Sequence, residues 1–317
     1  MQRLGGFPSR QQRGPRLRTI VLGCVALVTL ATFVFYGGLQ FTPSFNHGEA
    51  DGVAPWTLRQ AGPLPVTTLV IYIFSNTDPE YIENLRFFAE YGMEEGDGCE
   101  YIVIVQDDKD KTLPELPALP SNARYVHHEN RCYDWGTIGW LLQSGQVDTS
   151  PYTYFIFMNS SVRGPFLAPY SRKLVRWQHL LTHKLNDRVK LVGPTISCEG
   201  SPYQGNVGAE WRTNPHVQSY VVATDQVGLQ VWLQDENVFK CWDSMWDVIW
   251  HGELGSSLAM LNAGYNLDCF MTRYQGVNWL DKKVWECNQR ANPYGEYYND
   301  GISLSPYEVL FVKVKEK

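Results

Sequence analysis

Short runs of β-branched and aromatic residues recur along this chain, separated by stretches whose apolar positions repeat every three or four residues. Thr68–Phe74 (TLVIYIF), Tyr101–Val105 (YIVIV) and Tyr154–Met158 (YFIFM) are apolar at nearly every position, the pattern of strands buried on both faces. Ala123–His127, Val189–Val192, Ser219–Ala223, Asn266–Met271 and Val309–Val314 are predicted as further strands. After the first strand, Asp78 can cap a helix and Pro79 suits its first turn; Ile82, Leu85, Phe88 and Ala89 then follow at helical spacing. Helices are also predicted over Trp135–Ser144, over Ser171–Leu185, from a cap at Asp225 to about Leu233, and over Ser244–Ala263, where Gly264 ends the run.

Short buried strands alternating with helices predict an α/β domain over residues 66–317 with a Rossmann-like, mostly parallel sheet and flanking helices. In such sheets ligands bind beyond the carboxyl ends of the strands. That rule singles out Ser75–Asp78, Asp107–Asp108 and Asn159–Arg163. The first strand is not followed by G-x-G-x-x-G, and no G-x-x-x-x-G-K-[ST] occurs, which speaks against dinucleotide dehydrogenases and P-loop enzymes. The absence of G-x-S-x-G speaks against an α/β hydrolase.

Charge and hydropathy alter this picture at the N-terminus. Residues 1–48 hold five arginines and no acid, so 22 of the 27 Lys+Arg face all 33 Asp+Glu in the remainder. An acidic main domain argues against nucleic acid as a partner. Thr19–Tyr36 carries no charge over 18 residues, enough to cross a thin bilayer as a helix. Arginines before it predict a cytosolic tail over 1–18, a signal anchor over 19–41 and a type II topology in the Golgi or ER membrane. Residues 42–65, with four Pro and three Gly, read as a stem. Six cysteines beyond the anchor (Cys99, Cys132, Cys198, Cys241, Cys269 and Cys287) allow up to three disulfides in an oxidising lumen.

Several motifs lie in a consistent order: Tyr133-Asp134-Trp135-Gly136, Phe157-Met158-Asn159-Ser160-Ser161-Val162-Arg163-Gly164-Pro165-Phe166, Pro215-His216-Val217-Gln218-Ser219, Gly252-Glu253-Leu254-Gly255 and Gly264-Tyr265. Over residues 66–275 this order resembles GT-A glycosyltransferases, most closely rhamnan-synthesis-type and related eukaryotic glycosyltransferase-like proteins. The resemblance implies a hexosyl- or deoxyhexosyltransferase with a nucleotide-sugar donor and a glycan acceptor. It implies Glu253 as the base that deprotonates the acceptor hydroxyl. Ser75, Asn76, Asp107, Asp134, Asn159, Ser161 and Arg163 would hold the donor, and His216 and Gln218 would face the acceptor.

The sequence departs from the family where the DxD acids bind a divalent Mn or Mg ion. Asn159, Ser160 and Ser161 stand there, and neutral amides and hydroxyls are poor ligands without a carboxylate. Arg163 offers a guanidinium for phosphate oxygens instead, or a surface ion pair. Position 254 is Leu where the family's Glu-Asp pair has its second acid. The missing acids keep a second reading open, an inactive relative that binds glycans or scaffolds other enzymes. Asn159-Ser160-Ser161 is also the chain's sole N-x-[ST] sequon, but the end of a buried strand is a poor place for a glycan.

Overall fold

The computed structural model describes residues 62–295, 297 and 301–314. The tail, the anchor and most of the stem lie outside the described residues. Among the described residues no helix is long and apolar enough to cross a membrane.

Seven strands form the central sheet, in the order β12-β6-β11-β4-β1-β2-β3. They are β1 (Thr68–Ser75), β2 (Cys99–Asp107), β3 (Ala123–Glu129), β4 (Tyr154–Asn159), β6 (Val189–Gly193), β11 (Val221–Asp225) and β12 (Asn266–Cys269). All run parallel except β11, which is antiparallel to both β4 and β6. Short pairs lie around it: β5 (Val162–Arg163) with β13 (Val312–Lys313), β7 (Ile196–Ser197) with β10 (His216–Val217), and β8 (Ser201–Pro202) with β9 (Trp211–Arg212).

The apolar runs have their physical reason in this sheet. Successive side chains of a strand point to opposite faces. Leu69, Ile71 and Ile73 join Ile102, Ile104, Phe155 and Phe157 on one face; Val70, Tyr72 and Phe74 join Val103, Val105, Ile156 and Met158 on the other. The first face is covered by α2 (Tyr133–Gln143), α4 (Gln226–Gln234) and α6 (Leu254–Asn262), through Trp135, Ile138, Trp232 and Met260. The second is covered by α1 (Glu80–Tyr91) and α3 (Trp177–Thr182), through Leu85, Phe88, Trp177 and Leu181. With both faces covered, neither can alternate with polar residues.

The predicted helix over 244–263 is a composite. It comprises α5 (Met245–Asp247), a π-helical turn (Val248–Glu253) and α6. Gly264 follows at φ +85°, a conformation open to a residue without Cβ. Asp225 caps α4, accepting from the Gly228 N–H at 3.0 Å; at α1 the cap position is Pro79 rather than the expected Asp78, whose side chain, one residue earlier, accepts from the Glu80 N–H at 2.9 Å.

The strand expected over Asn266–Met271 ends at Cys269, and two other elements are much shorter than predicted. Ser171–Leu185 contains helix only over Trp177–Thr182, because Arg176 is extended (φ −98°, ψ 134°) and separates it from the turns before it. In the run Val309–Val314, α7 (Pro306–Val309) occupies the start and Leu310 has φ +68°, so only Val312–Lys313 pairs as a strand. The cysteines form two disulfides, Cys132–Cys241 and Cys198–Cys287, while Cys99 and Cys269 are buried free thiols.

Candidate active site

The carboxyl ends of β1 and β4, the start of α2 and the π-helical turn enclose a cleft of about 620 Å³. Five of the predicted site residues line it: Ser75, Asp134, Asn159, Ser161 and Glu253. A cavity of about 700 Å³ beside Tyr274, Trp279 and Cys287 is larger but contains none of them. The smaller cleft is the candidate site, because it gathers polar side chains at strand ends around a perturbed carboxyl.

Asp134 lies in the first turn of α2, where the helix dipole favours a carboxylate, and accepts from the Trp135 N–H at 3.0 Å. The loop before it is pinned by the Cys132–Cys241 disulfide. The helix also packs tightly there: a Cβ on Gly139 would lie 2.4 Å from the Phe239 carbonyl oxygen. Gln106, at the end of β2, donates to the Tyr133 carbonyl at 3.1 Å and to the Thr137 hydroxyl at 3.0 Å. These ties fix the position of Asp134.

Asn159 closes β4 and is engaged through both its amide nitrogen and its amide oxygen. Its Nδ2 donates to Asp134 Oδ2 at 2.9 Å, and its Oδ1 accepts from the Ser161 N–H at 3.1 Å and the Ser161 hydroxyl at 2.6 Å. Ser160 Oγ accepts from the Ser75 N–H at 3.3 Å. This donor set does not fit a divalent cation. The Asn159 nitrogen faces Asp134, its oxygen is used twice, and no three His, Cys, Asp or Glu cluster suitably among the described residues.

Glu253 ends the π-helical turn, and Met245 and Val248 of the same helical run also line the cleft. π-helical turns recur at functional sites. Burial pushes the Glu253 carboxyl up to about 7; the negative charge of Asp134 adds to the rise, while Lys313 and a hydrogen bond from Ser219 oppose it. Lys313 reaches the cleft because β13 pairs antiparallel with β5, opposite Val162, directly after the end of β4.

The other predicted residues lie elsewhere. Arg163 is engaged within the scaffold: its Nη2 pairs with Glu80 Oε2 at 2.8 Å and its Nε donates to Asn84 Oδ1 at 2.8 Å. Asp107 pairs with His127 Nδ1 at 3.0 Å, and Asn76 donates to the Thr112 carbonyl at 3.1 Å; neither lines the cleft. His216 is buried in β10, and that burial lowers its pKa to about 4. Gln218 accepts from the Thr195 hydroxyl at 2.9 Å, which ties it into the scaffold. These placements share a cause: being near a strand end in sequence does not decide which way a side chain turns.

Lys313, Arg131, Tyr81, Gln106 and Trp242 also line the cleft and were not predicted. Gln106 directly follows a predicted strand and could have been found by the strand-end rule. Lys313 could not, because nothing local links it to Asn159.

No family model matches the chain, the rhamnan-synthesis type included, and no curated protein matches it in sequence. Among solved structures it is similar to Drosophila β1,4-galactosyltransferase 7, in a mutant complex with manganese, UDP-Gal and xylobiose and in a catalytic-domain complex with xylobiose. Each match has 10% identity, a TM-score of 0.34 and covers 67% of this chain. It spans 66% of the galactosyltransferase chain, just under two thirds. It is also similar to the mannosyltransferase PcManGT from Pyrobaculum calidifontis, in complex with GDP-Man and Mn2+. That match has 12% identity and a TM-score of 0.36, and covers 93% of this chain and 80% of the other. Scores below 0.5 do not establish a shared fold, so the site is read from its own residues.

Proposed function

We propose that this chain is a GT-A-type glycosyltransferase that moves a sugar from a nucleotide-sugar donor to a hydroxyl of a glycan or glycoconjugate. Glu253 carries the reading: its carboxyl, lifted to about 7, stands in a cleft at the carboxyl ends of parallel strands. A base is most effective when its pKa lies near the working pH. The motif order from Tyr133 to Tyr265 supports the same assignment.

In the proposed step Glu253 takes the proton of the acceptor hydroxyl as its oxygen bonds to the anomeric carbon. The bond from that carbon to the diphosphate oxygen breaks, and the nucleoside diphosphate leaves with the electron pair. Lys313 and Arg131, both lining the cleft, oppose the charge that develops on the leaving group. Asp134, held by Asn159, keeps the Glu253 carboxyl basic and offers an acceptor to donor hydroxyls. The uncharged run behind five arginines, together with two disulfides, supports a type II anchor with the catalytic domain in the ER or Golgi lumen.

The test is donor turnover. The full-length chain is incubated with UDP-, GDP- and dTDP-sugars, and released nucleotide is measured. Release with at least one donor, lost in Glu253→Gln, is the expected result. A folded chain that turns over none of them would sink the enzyme assignment. The replacement of the family's acids by Asn159, Ser160 and Ser161 favours one second reading, an inactive glycan-binding relative. Calorimetry that finds donor binding without release would select it.

A further inference from the structure

Most large aromatic side chains among the described residues are buried or half-buried, yet Tyr203, Trp211 and Trp246 are 39%, 47% and 41% exposed. They come from two neighbouring segments. Tyr203 and Trp211 belong to the β8–β9 hairpin region, and Trp246 to α5. Their rings are held in place and left partly open. A Cβ on Gly205 would lie 2.5–2.8 Å from Cε2, Cδ2 and Cζ2 of Trp246, so the glycine backbone lies against one face of that indole. Gly205 has φ +71° as well, so both its backbone and its contact exclude a side chain. Trp211 Nε1 donates to the Val207 carbonyl at 3.2 Å, and the Tyr203 ring meets Trp250 edge-on at 5.3 Å. Trp242, by contrast, is already engaged, by Lys240 at 4.1 Å and by the stacked His251 ring at 4.5 Å.

Fixed, partly open rings beside exposed Gln204, Asn206 and Glu210 have a definite chemistry. Rigid aromatic faces bind apolar surface at low entropic cost. The C–H faces of a pyranose supply such a surface, and its hydroxyls suit flanking amides and carboxylates. One residue links the patch to the cleft along the chain: Met245, next to Trp246, lines the cleft together with Glu253. We infer that Tyr203, Trp211 and Trp246 form a stacking platform for an oligosaccharide whose end enters the cleft as the acceptor. Only the word acceptor rests on the transferase reading; the platform is a binding site in its own right.

The test titrates cellotetraose, xylotetraose, chitotetraose and mannotetraose into the full-length chain without donor, following tryptophan fluorescence. The expected result is saturable binding of at least one tetrasaccharide, weakened tenfold or more in both Trp246→Ala and Trp211→Ala. Circular dichroism and melting temperature check that both variants are folded. No binding to any tetrasaccharide, or binding in both folded variants equal to the parent chain, overturns the platform. So does sedimentation that finds a dimer dissolved by Trp246→Ala, which would make the patch a contact between copies. Failure of donor turnover with sugar binding intact would sink the transferase reading and leave the platform standing.

Discussion

Asn159 Nδ2 donates to Asp134 Oδ2 at 2.9 Å, joining the end of β4 to the first turn of α2. An amide thus stands against a carboxylate at the strand end where the resemblance leads one to expect a metal-binding acid. Asn159→Asp would set two carboxylates at hydrogen-bond distance, and like charges there cannot both ionise freely. The variant is expected to melt lower than the parent and to regain stability with MnCl₂, since paired carboxylates and the Ser161 hydroxyl form a hard-oxygen set. Scanning fluorimetry with and without the cation checks this. A variant that Mn2+ does not stabilise more than the parent would refute it.

The pH profile of transfer is expected to rise through an acid limb near 7, the pKa of Glu253. Glu253→Gln should lower turnover by about 10²–10⁴-fold, the usual contribution of a general base. Asp134→Asn removes a negative charge and should move the limb to lower pH; Lys313→Met removes a positive charge and should move it higher. The stability sign also follows. Between about 4.5 and about 7 the folded chain keeps a proton that the unfolded chain has lost, so stability falls as pH rises through that window and levels above it. Rate–pH profiles and denaturant midpoints measure both.

Arg163→Ala is expected to act on stability rather than on donor affinity. Asn84 is fully buried, and it donates to the carbonyls of Ser160 and Val314 while its Oδ1 accepts from Arg163. Losing the guanidinium orphans a buried acceptor, which costs about 1–3 kcal/mol. The partly exposed ion pair with Glu80 adds little. A fall in melting temperature with an unchanged donor Kd is the expected pair of results.

Peptide mapping without reduction should recover Cys132–Cys241 and Cys198–Cys287, with Cys99 and Cys269 alkylated only after denaturation. Cys241→Ser should cost about 2–5 kcal/mol and also weaken donor binding, because Cys132 lines the cleft. Equal donor affinity in the variant would separate the bridge from the site.

From the apolar runs the strands of the central sheet were legible; the short strands β5 and β7 to β10 around it were not. Continuous apolar runs such as Ile71–Phe74 and Tyr101–Val105 are stable only with both faces covered, which demands helices on each side. Strand ends then supplied Ser75, Asn159 and Ser161, and the motif order supplied Asp134 and Glu253. Side-chain direction was decided only by tertiary structure. Arg163 turned to Glu80 and Asn84, and Asp107 to His127, partners that only the folded chain brings within hydrogen-bond reach. Lys313 reaches Glu253 through the pairing of β13 with β5, a contact spanning half the chain that no local pattern encodes. The raised pKa of Glu253 is likewise a tertiary property, since burial and the charges of Asp134 and Lys313 come together only in the folded chain.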